Sequence, residues 1–260
     1  MHWLLEADVF AAGPHPLTAA ARRAGHQVTR FTDRWWSRAE LPALAEPVVF
    51  HGSLGNAARI AALGRWRPGA FCDEARLRCS SWYPATASWR LCAEHRASTV
   101  GALVADPIAV AGAFGDAVFV RPDSPLKPFA GRVVTLAGLS AADLDHGFYY
   151  DDLELPIVIT PLRRVVAEWR FVIAAQTIVA ASGYDPRRAT SHAPPPDEAR
   201  ALASTIAAAL APPEPVYVMD VGLTRDGPRL VELNPFSGAD LYGCDPDAVV
   251  AAVARAVEPV

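Results

Sequence analysis

The sequence predicts an α/β region followed by an α+β region, and three observations carry that expectation. Strand-like and helix-like segments alternate from the N-terminus to residue 92, as in a small parallel sheet with crossover helices. Beyond it, strand-like runs follow one another with hairpin signals between them, which indicates an antiparallel or mixed sheet. The 260 residues, 52% of them in the set AVILMFWYC and 20% charged, suffice for a sizeable core. The pattern divides the chain into residues 1–92 and 93–260.

In the first region "HWLLEADVF" and "HQVTRF" read as strands around "HPLTAAARRAG", whose Ala/Arg content and trailing Gly suit a helix and its stop. "PVVFHGS" is a third short apolar run, followed by the helical "LGNAARIAALGR". "RPGAFCDEARLRCSSWYP" is irregular and reads as loop with short pieces of structure. A long helical stretch, "TASWRLCAEHRASTVGALVADPIAVAGAFG", leads into the second region. Strands are then expected at "AVFVRP", "GRVVTLAG", "LPIVITP", "EWRFVIAAQTIVAASGY", "VYVMDVG" and "RLVELNP". "PPPDEARALASTIAAALAPP" reads as a helix bracketed by prolines, and "DPDAVVAAVARAV" as a closing helix.

Composition narrows the function classes. A net charge of −4 supplies no basic field for nucleic acid, and no window has the ~20 apolar residues of a membrane span. The four cysteines form no CxxC pair and read as packed, reduced thiols. "MHWLLEADVF" lacks a basic n-region, so no signal peptide is read there and the cytoplasm is the expected compartment.

Three stretches carry chemistry. In "VYVMDVGLTRDGPRLVELNP" a hairpin turn centred on Asp226 sets Asp220 opposite Glu232, and Asn234 shares the face of Glu232. Two carboxylates and an amide at this density suit Mg²⁺, which takes one or two carboxylates and completes its shell with phosphates and water. The same pattern also reads as a salt-bridged surface hairpin. In "FVRPDSPLKPFAGRVV", Arg121 at a strand end and Lys127 in the following loop can hold phosphate oxygens, or simply be solvated. In "AEWRFVI", Glu168 and Arg170 share one strand face while Trp169 and Phe171 take the other, as in a charged site strand or a half-exposed edge. "LPIVITP", with Val158, Ile159 and Thr160, offers apolar surface and backbone groups for a flat purine ring.

In order and type these segments resemble the ATP-grasp family, whose members include glutathione synthetase and D-alanine–D-alanine ligase. The Asp-to-Glu-x-Asn arrangement ending in "VELNP" is similar to that family's metal site, and "EWRFVI" to the strand bearing its arginine. "VRPDSPLKPFAG" departs from the usual strand lysine and resembles the clade named for two arginines and one lysine, here Arg121, Arg170 and Lys127. The resemblance implies an ATP-grasp fold behind a Rossmann-like α/β domain, and a ligase joining a carboxylate to an amine through an acyl phosphate. It implies ATP and Mg²⁺ as cofactors, with Asp220, Glu232 and Asn234 on the metal and Arg121 and Lys127 on phosphate. Arg170 then serves the acyl phosphate or tetrahedral intermediate, Glu168 orients Arg170 or meets nucleotide, and Val158, Ile159 and Thr160 supply adenine and hinge contacts.

The first region is the expected source of substrate contacts. His51, Gly52 and Ser53 end a strand and open a helix, where free N–H groups favour an anion, although a strand-end His is also a common structural element. Arg76, Arg78, Trp82, Trp35, Trp36, Tyr184 and Arg187 are further candidates for the acceptor site, with core packing as the other reading of the tryptophans. The partners expected are a small molecule or peptide bearing a carboxylate and an amine acceptor. Oligomeric state is open, a homodimer included. A non-catalytic nucleotide-binding module and an ATP-independent carboxylate-pair hydrolase are the competing classes. Mg²⁺-dependent ADP release separates them.

Overall fold

The computed structural model describes residues 1–10, 13–38, 41–147, 150–184 and 193–257, with the backbone alone for residues 37, 38 and 184. Arg187 and the side chain of Tyr184 lie outside the described set. Two compact units emerge, Met1–Asp73 with Val166–Val260, and Glu74–Val165. Compactness therefore cuts the chain at other places than the pattern does, because the C-terminal third packs on the first 73 residues.

The first unit begins with β1 (His2–Glu6), α1 (Thr18–Arg23), β2 (Gln27–Phe31), α2 (Arg34–Arg38), β3 (Val48–His51), α3 (Leu54–Leu63) and β4 (Pro68–Gly69). The strands form a parallel sheet in the order β2-β1-β3-β4, as the alternating pattern predicts. Trp3, Leu4, Leu5, Val48, Val49 and Phe50 are all buried, the unbroken apolar run of strands covered on both faces. Gly64, at φ +58°, ends α3 in the left-handed region a side chain seldom adopts.

The second unit contains α4 (Glu74–Leu77), α5 (Cys79–Trp82), β5 (Arg96–Thr99), α6 (Val100–Ala105), α7 (Pro107–Phe114), β6 (Ala117–Pro122), β7 (Arg132–Thr135) and β8 (Pro156–Pro161). Its sheet runs β5-β8-β6-β7, antiparallel throughout. The long helix expected over residues 86–115 is not formed. Residues 96–99 pair with β8 instead, residues 87–95 are irregular, and only the remainder forms helix, divided into α6 and α7. The breaks have local causes: the Thr99 side chain caps α6, and Asp106 caps α7 with Pro107 at its first turn.

The chain then returns to the first unit as β9 (Ala167–Ala174), β10 (Thr177–Tyr184), α8 (Asp197–Ala209), β11 (Val216–Thr224), β12 (Gly227–Pro235) and α9 (Pro246–Val257). These strands form an antiparallel sheet in the order β10-β9-β11-β12. One face carries Val172 and Val218, joined by Phe236 just after β12, into a core shared with Trp3, Leu5 and Val49 and with Val249 and Val253 of α9. α8 packs on β10, β11 and β12, and buries Ala199, Ala203 and Ile206. Among the described residues no helix is long and apolar enough to cross a membrane.

Candidate active site

The hairpin of β11 and β12 sets Asp220 opposite Glu232, but not through a turn centred on Asp226. The loop is the two residues Arg225 and Asp226 between the pair Thr224 and Gly227, half a residue out of step with the expected centre. A register shift between Asp220 and Val221, at Val231 of the partner strand, restores the pairing. Such bulges bend a strand and re-aim the side chains beside them.

Asp220 is also opposite Arg170 of β9, and Arg170 is opposite Ser182 of β10. Ser182, Arg170, Asp220 and Glu232 thus form one transverse row across the four strands. Arg170 grips Asp220 with both ends of its fork, Nε to Oδ1 at 2.9 Å and Nη2 to Oδ2 at 2.8 Å, while Nη1 donates to the Asp240 carbonyl at 2.6 Å. Asn234 donates from Nδ2 to Asp220 Oδ2 at 2.9 Å. Asp220 is 3% exposed, Asn234 4% and Arg170 8%, so the surface-hairpin reading does not apply. Burial pulls the Arg170 pKa down, but the Asp220 charge and hydrogen bonds outweigh it and hold the guanidinium above its ordinary value. The Tyr242 ring lies 4.9 Å from the guanidinium, and Glu168, half-buried on the same strand face, adds its charge.

These residues fit a divalent ion. Asn234 spends its amide nitrogen on Asp220, so the atom it can offer a cation is the carbonyl oxygen, beside two carboxylates. Among the described residues no three of His, Cys, Asp or Glu cluster as a metal cage. Two carboxylates and an amide are instead what a hard ion uses when phosphate and water complete its shell.

In the second unit, Arg121 near the end of β6 is opposite Val158 of β8, and Phe119 is opposite Thr160. Ile159 points into the unit's apolar core, whereas Val158 lies outside that cluster, on the strand neighbouring Arg121. Gly131 is required where β7 begins: an added Cβ would overlap the Phe119 ring and come within 3.4 Å of Arg121 Cβ. Lys127 sits at φ +51°, an uncommon conformation for a residue with a side chain, in a turn closed by its N–H to the Ser124 carbonyl at 3.3 Å.

The anion expected at the start of α3 is one of the chain's own. Glu6, at the end of β1, accepts the Ser53 N–H at 2.8 Å and its hydroxyl at 2.9 Å, and the Asn56 amide at 2.9 Å. An added Cβ at Gly52 would collide with this carboxylate and with Phe50. His51 points elsewhere. The Leu17 N–H donates to His15 Nδ1 at 3.1 Å, so neutral His15 carries its proton on Nε2 and donates it to His51 Nδ1 at 2.9 Å. His51 is left with a buried Nε2 that has no partner among the described residues, its ring 4.8 Å from that of Phe236. Burial holds both imidazoles below their ordinary pKa, His15 at about 4.

Trp36 lines a cavity of about 660 Å³ with Asp33, Ser53, Asn56 and Arg59, and donates its indole N–H to Asn56 Oδ1 at 2.7 Å. Trp35 packs edge-on against Phe31, and Trp82 is buried core rather than acceptor surface. Arg78 pairs with Glu74 at 3.2 Å on the surface of α4 and α5, and Arg76 lies in the last turn of α4. Glu6, Asn56, His15, Ser80 and Asp123 were not singled out by sequence. The readable signal for Glu6 is an acid ending an apolar strand, the position where α/β proteins present polar groups to a crevice.

A parallel-sheet region, an intervening antiparallel sheet and a second antiparallel sheet bearing the Asp-Arg-Glu-Asn set define the ATP-grasp class of fold. A family model matches residues 64–253, and it describes the ATP-grasp domain of the third family in the clade named for two arginines and one lysine; the chain belongs to that family. It is accordingly an ATP-dependent ligase in class, of a family that works with ATP and Mg²⁺. The fold is similar to that of an ATP-grasp RimK domain protein from Sphaerobacter thermophilus, at a TM-score of 0.65 and 18% identity over 99% of each chain. D-cycloserine synthetase DcsG gives 0.63 and 18% over 99% of this chain and 100% of that one. Phosphoribosylamine–glycine ligase from Thermotoga maritima gives 0.64 and 13%, covering 100% of this chain and 78% of that one. At these identities the likeness is one of fold. Comparison with curated proteins returned no match.

Proposed function

We propose that the protein is a carboxylate–amine ligase acting through an acyl phosphate on an amino acid or peptide substrate. The γ-phosphoryl group of ATP moves to the substrate carboxylate, releasing ADP. The amine then attacks the activated carbonyl, the amide bond forms, and phosphate leaves. Such chemistry asks the protein for position and for charge where charge develops. The observation that carries the reading is the buried Asp220 held by Arg170 and Asn234, with half-buried Glu232 opposite it on the neighbouring strand. Buried charges at this density are expensive without function or compensation.

Asp220, Glu232 and Asn234 are assigned to Mg²⁺, which supplies neutralisation of phosphoryl oxygens. Arg121 and Lys127 are assigned to phosphate, and the positive φ of Lys127 is the kind of backbone strain that accompanies such duty. Arg170 uses three of its five N–H groups on Asp220 and Asp240, which leaves two for a substrate oxygen. Val158 and Thr160 offer side chains to the purine, whereas the Ile159 side chain is core. Glu168 acts on Arg170 through its charge. Residues 1–92 act as the preceding α/β domain and 93–260 as the nucleotide and metal region, in the cytoplasm. Similar folds include D-cycloserine synthetase and the ligase PsnB complexed with a precursor peptide, which supports a small amino-acid-like or peptide substrate.

The test is ADP release with Mg²⁺ over pooled amino acids and peptides, followed by mass spectrometry of the product. Acid-dependent ADP formation with a product lighter by one water than its two substrates is expected. ADP formation at the same rate in Glu232→Gln removes the metal assignment. Lys127→Ala is expected to weaken ATP binding about tenfold or more, and unchanged calorimetric affinity refutes that role.

A further inference from the structure

The irregular segment before residue 86 makes a specific connection inside the second unit. Asp123, two residues past Arg121 and four before Lys127, accepts the Ser80 N–H on Oδ1 at 2.7 Å and the Ser80 hydroxyl on Oδ2 at 2.6 Å. A carboxylate accepting two short hydrogen bonds from one residue is fixed in both direction and distance. The Asp123 N–H is spent on the Pro156 carbonyl at 2.8 Å, at the start of β8, so both ends of this residue are tied. Next to it the Ser124 hydroxyl donates to Glu74 Oε1 at 3.3 Å, and Ser124 Oγ accepts the Leu126 N–H at 3.2 Å. The turn that sets Lys127 at positive φ is therefore anchored by Glu74 of α4 and Ser80 of α5. On the other side of Ser80, Cys79 and Tyr83 lie within the field of Arg121, whose charge opposes the upward push of burial on both groups.

We propose that the Ser80–Asp123 pair is a positioning device that fixes the loop between Arg121 and Lys127 and so sets affinity for the triphosphate without touching it. This rests on the reading of Arg121 and Lys127 as phosphate holders. α4 and α5, unremarkable in sequence, then serve as a brace. Glu74 and Ser80 bind a loop of the same unit.

The experiment is calorimetry of the full chain with Mg²⁺ and the non-hydrolysable analogue AMPPNP. Ser80→Ala and Asp123→Ala are each expected to raise the dissociation constant about tenfold. Ser80→Thr, which keeps both donors, is expected to restore it, and Asp123→Asn, which keeps an acceptor without the charge, to fall between. In a Lys127→Ala background, Ser80→Ala is expected to add little, because its effect passes through the loop. Should Lys127→Ala weaken binding while Ser80→Ala and Asp123→Asn leave it unchanged, the brace is overturned and the phosphate assignment survives. Full additivity of Ser80→Ala with Lys127→Ala overturns it as well, since a general loss of stability behaves that way. If Lys127→Ala and Arg121→Ala both leave affinity unchanged, the phosphate reading fails and the positioning role with it.

Discussion

At the scale of single residues, Asp220 and Glu232 face each other across two strands yet differ in what the fold asks of them. Asp220 is buried and neutralised by the Arg170 fork, so removing it strands a guanidinium away from water. Asp220→Ala is expected to destabilise the protein by about 3–5 kcal/mol, read as a lowered urea midpoint at unchanged slope. Glu232 is half-buried, and its loss is expected to be a loss of chemistry instead. Glu232→Gln should stay within ~1 kcal/mol of the parent in unfolding free energy while Mg²⁺-dependent ADP formation falls about a hundredfold or more. A variant that unfolds as easily as Asp220→Ala would make Glu232 a structural partner. These residues were legible in the sequence because carboxylates between apolar neighbours in a strand contradict the pattern around them. Glu6 was not, since an acid at a strand end looks solvated until the backbone of a helix 47 residues on is seen to receive it.

Among elements, the segments after β3 and β12 meet as backbone. Gly52 N–H donates to the Ser237 carbonyl at 2.9 Å, Phe71 N–H to Ser237 Oγ at 2.9 Å, and Gly238 lies so close to Leu54 that a Cβ would overlap it. Neither glycine has a positive φ to explain it, so the demand is one of space. Gly52→Ala and Gly238→Ala are each expected to destabilise by about 1–3 kcal/mol, through displacement of the Glu6 carboxylate and of α3 respectively. A melting temperature equal to the parent's in both would mean the junction yields at no cost. Element type was readable wherever periodicity or turn chemistry was local. The parallel strands, the hairpins and α8 and α9 fall where apolar spacing and Gly or Pro put them. The failure over residues 86–115 is the reverse case. Ala-rich composition favours helix there, but pairing with β8, about sixty residues away, takes residues 96–99, and no local signal reports a distant partner. The hairpin succeeds for an instructive reason, since the assumed turn was half a residue off and the bulge at Val231 made up the difference.

For the molecule as a whole, the His15–His51 pair ties stability to pH. Both rings are buried beside Phe10, the pair stands against Phe236, and the group acting electrostatically on His51 is His15 itself. In the unfolded chain each imidazole titrates near its ordinary value, whereas folded His15 resists protonation until about pH 4 and His51 resists it further. A depressed folded pKa means that the unfolded state binds the extra protons as pH falls, so stability is complete above about pH 6.5 and is lost on the way down towards pH 4. For His15 alone the loss between pH 7 and pH 5 is ~2 kcal/mol. His2 and His26, lowered first by burial, add in the same direction. Unfolding free energies measured in urea at pH 7, 6 and 5 are expected to decline across that range in the parent chain. In a His15→Gln, His51→Gln double variant the decline should be visibly flatter, since amides fill the same space without titrating. The window lies above the range where carboxylates protonate, so the two effects separate. Equal slopes in the parent and the double variant would show that the pair takes up its protons in the folded chain at no cost to the fold.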